Sequence, residues 1–114
     1  MKIWNIGVDV VKGVYEVTKN FPKEEQFGIT SQIRNCSRSV CACIGEGYRK
    51  RKYPAHFVSK ISDADMENSE VQVWLDFSLA CKYISQEQHK DLNFESEEIG
   101  KLLFHMISSP EKYS

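Results

Sequence analysis

The sequence predicts an all-α fold, an antiparallel up-down-up-down four-helix bundle, and three observations predict it. Apolar residues recur at steps of three and four along nearly the whole chain, the spacing that lines one face of a helix. Pro22, Gly28, Pro54 and a capping signature at Ser85 cut that pattern into four pieces. The connections between the pieces are short, about two to nine residues, and short connections force neighbouring helices antiparallel. With 114 residues the chain fits one domain, large enough for a core that needs neither disulfide nor metal to hold it.

The first helix is expected over residues 3–21, where Ile3, Ile6, Val10, Val14, Val17 and Phe21 keep helical spacing until Pro22. Its many β-branched residues would also suit a strand, but Asp9, Lys12, Glu16 and Lys19 repeat at helical steps. The second runs over 30–49, with Thr30 or Ser31 free to cap and with Ile33, Cys36, Val40, Cys43, Ile44 and Gly47 on its apolar side. Pro54 opens the third, over 54–83, which turns Phe57, Ile61, Ala64, Asn68, Val71, Leu75 and Leu79 inward. Ser85 and Gln88 form a capping box for the fourth, over 86–108, which carries Leu92, Ile99, Leu102, Leu103, Met106 and Ile107. Residues after Ser108 have no apolar repeat and are expected to fray.

Two helices carry more apolar surface than one bundle can bury. Trp4, Val8, Val11 and Tyr15 form a second row on the first helix, so that apolar residues cover about 200° of it where a core-facing stripe needs little over 100°. On the third, Met66, Val73, Phe77, Ala80 and Ile84 form a row away from the core stripe. Burying each large side chain is worth about 1.5–3 kcal/mol, so these rows favour self-association over mutual cover on the bundle's outer grooves.

Lys and Arg number 15 against 16 Asp and Glu, a net charge of −1 that lacks the bias of a dedicated nucleic-acid binder. Positive charge is concentrated only at Arg49, Lys50, Arg51 and Lys52, followed by Tyr53 and His56. Two readings compete: a phosphate-binding rim multiplied by oligomerisation, or a solvated helix end whose cations complement the helix dipole. Arg34 and Arg38 lie on the same side of the second helix, and antiparallel packing would set them level with Glu70 and Asp65, which favours ion pairs. Glu46, between Gly45 and Gly47, has no nucleophile or histidine at motif spacing, so a structural role is expected and no catalytic residue is assigned. Asn68, on a core stripe, reads as a register-setting polar contact.

Cys36, Cys41, Cys43 and Cys81 show no metal-ligand spacing and read as small buried thiols in a reducing cytosol. No cofactor is implied. The segment MKIWNIGVDV lacks a long apolar run and nothing approaches a membrane span, so a cytoplasmic location without membrane contact is expected.

The run from Phe21-Pro22-Lys23-Glu24-Glu25 through Phe27-Gly28-Ile29-Thr30-Ser31-Gln32-Ile33-Arg34 resembles the FPKEE-x-(F/Y)GLTSQ-(L/I)R signature of the bacterial 23S rRNA intervening-sequence proteins. Some members of that family carry a ribosomal-protein label. Ser39 to Gly47, SVCACIGEG, is similar to the family's S(I/V)PANIAEG, and Glu70 to Leu75 to its ELETQL. The resemblance spans nearly the whole chain from Trp4. It implies an antiparallel four-helix bundle that assembles as a homo-oligomer, a pentameric ring, without enzymatic activity. A related branch, the accessory proteins of diversity-generating retroelements, forms a basic pentameric barrel that binds nucleic acid and a reverse transcriptase. Cys41, Cys43 and Gly45 depart from the family's proline, asparagine and alanine, and the near-neutral charge departs from the basic branch. The expected function is a non-enzymatic oligomeric scaffold or adaptor contacting RNA or DNA through Arg34, Arg38, Arg49, Lys50, Arg51 and Lys52. The alternatives are a protein–protein module without nucleic-acid binding and a passenger of a genetic element.

Overall fold

Four helices and no strand make up the computed structural model, which describes residues 1–114. They are α1 (Lys2–Thr18), α2 (Ile29–Arg49), α3 (Pro54–Ala80) and α4 (Gln86–Ser108). Each packs against its neighbour in sequence, and α1 also packs against α4, closing a ring of four. The pairs that meet run in opposite senses. Trp4 lies beside Gly45 and Tyr15 beside Arg34; Asn68 bonds Ser96 and Asp76 bonds His89. The architecture is thus the expected antiparallel bundle, with the α1–α2 and α3–α4 connections at one end and the α2–α3 turn and both termini at the other.

The expected stripes form one core. Ile3, Val10 and Val14 of α1 meet Ile33, Cys36, Val40 and Ile44 of α2, Phe57 to Leu75 of α3, and Leu92, Ile99, Leu103 and Met106 of α4. Close helix contact depends on small side chains at three places, one of them Gly13, where a Cβ would lie 2.6 Å from Leu92 Cδ2 of α4. A Cβ on Gly7 would lie 2.9 Å from the Cys41 sulfur, and one on Gly47 2.8 Å from Ile61 Cδ1. Cys41, absent from the sequence-derived stripe, is therefore a buried α1–α2 contact.

Two helices end three residues earlier than their periodicity suggests, and each stop has a local cause. The chain leaves α1 after Thr18 so that Phe21 can turn inward, where its ring packs 5.3 Å from that of Tyr83. At the end of α3, Lys82 adopts a left-handed conformation with φ 61°. Its N–H bonds the Leu79 carbonyl and the Tyr83 N–H the Ser78 carbonyl, the paired arrangement of a Schellman cap. This turn redirects the next residue: Ile84, expected in the outward row of α3, lies in the core with 5% of its surface exposed.

The start of α2 also differs from expectation. Neither Thr30 nor Ser31 caps it; the Glu25 carboxylate accepts from the Ile29 N–H at 3.2 Å, while Gly28 occupies the capping position. Tyr83 donates to the other Glu25 oxygen at 3.0 Å, so the FPKEE segment is tied to the α3–α4 connection. The capping box of α4 forms as expected, with Ser85 and Gln88 bonding each other's backbone N–H. The C-terminal residues do not fray. Pro110–Tyr113 form a 3-10 turn in which Tyr113 stacks on Phe57 at 5.8 Å and meets His105 Nδ1 at 2.6 Å.

Candidate nucleic-acid interface

The cationic run lies where α2 gives way to α3. Successive backbone bonds, from Lys50 N–H to Gly47, Arg51 to Tyr48 and Tyr53 to Lys50, wind residues 47–53 into a tight turn, and Pro54 then starts α3. Arg49, Lys50 and Lys52 are exposed. Arg51 is engaged within the turn: its guanidinium lies 4.3 Å from the Tyr48 ring and donates to the Tyr48 carbonyl at 3.0 Å. Lys50 leans over the Tyr53 ring at 5.9 Å, and that ring is 60% exposed.

Beside the turn is an open cleft of about 350 Å³ lined by Glu46, Arg49, Lys50, His56, Ser59 and Lys60. Glu46 and Lys60 join across α2 and α3 at 3.0 Å, and this bond, with the Glu46 charge, pushes the Lys60 ammonium up from its ordinary value. Glu46 thereby links α2 to α3. With Glu46 matched, Arg49 and Lys50 leave the cleft with surplus positive charge. Lys60 extends the cationic cluster onto α3, with His56 and Ser59 lining the cleft beside it, and sequence reasoning placed neither Ser59 nor Lys60 there. The one signal was the i, i+4 spacing of His56 and Lys60, which puts them on a common helix face.

Arg34 and Arg38 are not part of this cluster. They lie 15 and 11 positions before Arg49 on the same helix, roughly 16–22 Å along its axis. Arg34 binds α2 to α1: its Nε donates to Thr18 Oγ1 at 2.8 Å and its guanidinium sits 4.7 Å over the Tyr15 ring. The expected pairs with Glu70 and Asp65 do not form, and Glu70 instead accepts from the Trp74 indole at 3.2 Å. Arg38 is exposed.

The outward apolar rows are largely as expected. Met66, Val73 and Phe77 stand on α3 directly opposite its buried stripe, 69%, 48% and 52% exposed, and Ala80 continues the row. On α1, Trp4 and Tyr15 are exposed, while Val8 and Val11 are half-buried in the shoulder beside α2. Two aromatic residues absent from the expected rows, Phe94 and Phe104, stand on the outer face of α4.

Cys36 and Cys41 are buried and Cys43 half-buried, but Cys81 is exposed at the end of α3, contrary to its reading as a buried thiol. Burial pushes the Cys36 thiol up to about 12, with the Glu70 and Glu67 charges adding to the effect. No three His, Cys, Asp or Glu side chains are placed to hold a metal ion, and no helix is long and apolar enough to cross a membrane.

A family model described as 23S rRNA-intervening sequence protein matches residues 1–105. The chain is similar to a crystal structure from Bacteroides thetaiotaomicron VPI-5482, of a protein of unknown function from the S23 ribosomal protein family. The two are 26% identical over 92% of this chain and 97% of that one, with a TM-score of 0.83. No curated protein matches the chain.

Proposed function

The chain belongs to the 23S rRNA-intervening sequence protein family, and from that premise we propose that it is a homo-oligomeric, non-enzymatic scaffold whose basic end binds RNA or DNA. The observation that carries this reading is the placement of the cations: Arg49, Lys50, Lys52 and Lys60 gather at one end of a chain whose net charge is only −1. The apolar rows of α1 and α3 lie on different sides of the bundle and run along its length. A contact between two different patches is heterologous and generates a ring when the rotation closes. Because both rows follow the bundle axis, subunits joined through them would present their basic ends together, as a rim. The number implied by the family resemblance is five.

A rim of this kind binds phosphate by releasing counterions. Affinity should therefore fall steeply with salt, and the log–log slope should diminish by about one for each phosphate contact removed. The test is a salt series of RNA and DNA binding with the native chain and an Arg49/Lys50/Lys52→Ala variant. Loss of slope in the variant supports the rim, and no binding of native protein at low salt overturns it.

Phe94 and Phe104, exposed on the outer face of α4, favour a second reading, a scaffold that docks a protein and leaves nucleic acid alone. It predicts a purified complex with a protein-like ratio of absorbance at 260 and 280 nm.

A further inference from the structure

We propose that the cleft beside the α2–α3 turn seats one unpaired nucleotide, its phosphate on Arg49, Lys50 and Lys60 and its base against Tyr53, so that the nucleic acid bound here is single-stranded. This rests on the nucleic-acid reading of the basic end and adds which form of nucleic acid the site takes. Three features support it. The first is size: about 350 Å³ is at the small end of ligand sites, which span roughly 300–1,000 Å³, and suits one nucleotide while a duplex could only lie across its mouth.

The second is the aromatic ring. Tyr53 is 60% exposed on a turn surrounded by cations, and it is joined to the cleft through His56, which lines the cleft and meets the Tyr53 ring edge-on at 6.3 Å. Tyr48 is less available, because the Arg51 guanidinium covers its ring at 4.3 Å. In a duplex the faces of the bases are stacked inside and only phosphates and groove edges are offered. An unpaired base can give its face to tyrosine, and any base can do so, which makes the contact tolerant of sequence.

The third is the mixture of polar groups. Arg49, Lys50 and Lys60 are donors to phosphate, the Ser59 hydroxyl and the His56 ring add further hydrogen-bonding groups, and Glu46 is an acceptor already matched by Lys60 at 3.0 Å. Such a set suits a sugar and base edge as well as a phosphate. A purely electrostatic rim would need only the cations.

The experiment is a fluorescence-anisotropy titration of the full chain with a labelled RNA single strand of about a dozen nucleotides, within the span of known single-strand sites. The same strand annealed to its complement serves as the duplex, and salt is held constant. The expected result is single-strand binding at least about tenfold tighter than duplex binding. Tyr53→Ala should weaken single-strand binding about tenfold and leave duplex binding unchanged, Tyr53→Phe should bind as the native chain does, and unaltered circular dichroism should show both variants folded. Equal affinity for the two forms, with no effect of Tyr53→Ala, overturns the inference and leaves the basic rim standing. No binding of either form at low salt overturns both.

Discussion

Asn68 and Ser96 exchange hydrogen bonds across α3 and α4: Asn68 Nδ2 donates to the Ser96 carbonyl and Ser96 Oγ donates to Asn68 Oδ1, each at 2.9 Å. Gln72 Nε2 adds a third bond to the same hydroxyl at 3.0 Å. Both residues are buried, so the pair places polar groups in the core and satisfies them only when α3 and α4 are in this register. Asn68→Ala is expected to lower stability by about 1–3 kcal/mol, because it opens a cavity and leaves the Ser96 hydroxyl with one partner fewer. Urea unfolding checks this, and a double-mutant cycle with Ser96→Ala should show a coupling of at least about 0.5 kcal/mol. Additive losses would mean that the two side chains act independently.

The Glu25 carboxylate serves both as a helix cap and as an acceptor for Tyr83. Glu25→Ala is expected to cost about 0.5–2 kcal/mol, the range for losing an N-terminal cap, as measured by chemical unfolding. Tyr83 adds a pH dependence. Its hydrogen bond to Glu25, then desolvation and the Glu25 charge, raise the phenol above its ordinary value of 10.0. Because the folded-state value is the higher one, its contribution is complete below pH 10 and is lost as pH rises through the folded value. Tyr83→Phe should therefore flatten the alkaline fall in thermal stability, and an unchanged alkaline limb would contradict the brace.

Lys82 holds a left-handed conformation that glycine adopts without steric penalty. Lys82→Gly should stabilise the chain by about 0.5–1 kcal/mol, because about 1–2 kcal/mol of strain is relieved and part of it is offset by the greater freedom of glycine in the unfolded chain. The check is the denaturation midpoint. A fall in that midpoint would show that the Lys82 side chain contributes more than its backbone costs.

Thr30 carries the one buried side-chain oxygen or nitrogen that lacks a hydrogen-bond partner. Thr30→Val keeps the shape and removes the unpaired hydroxyl, so the change should be neutral or stabilise by about 1 kcal/mol. A loss above about 1 kcal/mol in chemical unfolding would show that the hydroxyl has a partner in solution.

These residues also show what the sequence could convey. Periodicity identified the core stripes of all four helices because inward positions such as Phe57, Ile61 and Val71 repeat with the helical period. The Ser85–Gln88 cap was legible because both partners lie within one turn. Ile84 was misplaced because the same periodicity was carried past Ala80, and nothing local announces a left-handed lysine at Lys82. Arg34 was matched to Glu70 by axial level alone. Packing also fixes rotation about the helix axis, and that rotation gives the guanidinium to Thr18 and Tyr15. The cleft was half legible: its cations from α2 form a contiguous run, whereas Ser59 and Lys60 join them only when α3 packs alongside.

In the proposed function, outward apolar rows assemble this bundle and thereby gather its basic ends into a nucleic-acid-binding rim. Sedimentation velocity of the chain mixed with a labelled RNA single strand at low salt tests it most directly. The result expected is label moving with a species whose protein content is two or more copies of the 13.2 kDa chain, and a Val73→Glu/Phe77→Glu variant that sediments as a smaller species. A 13.2 kDa monomer that leaves the labelled strand unbound would contradict the claim.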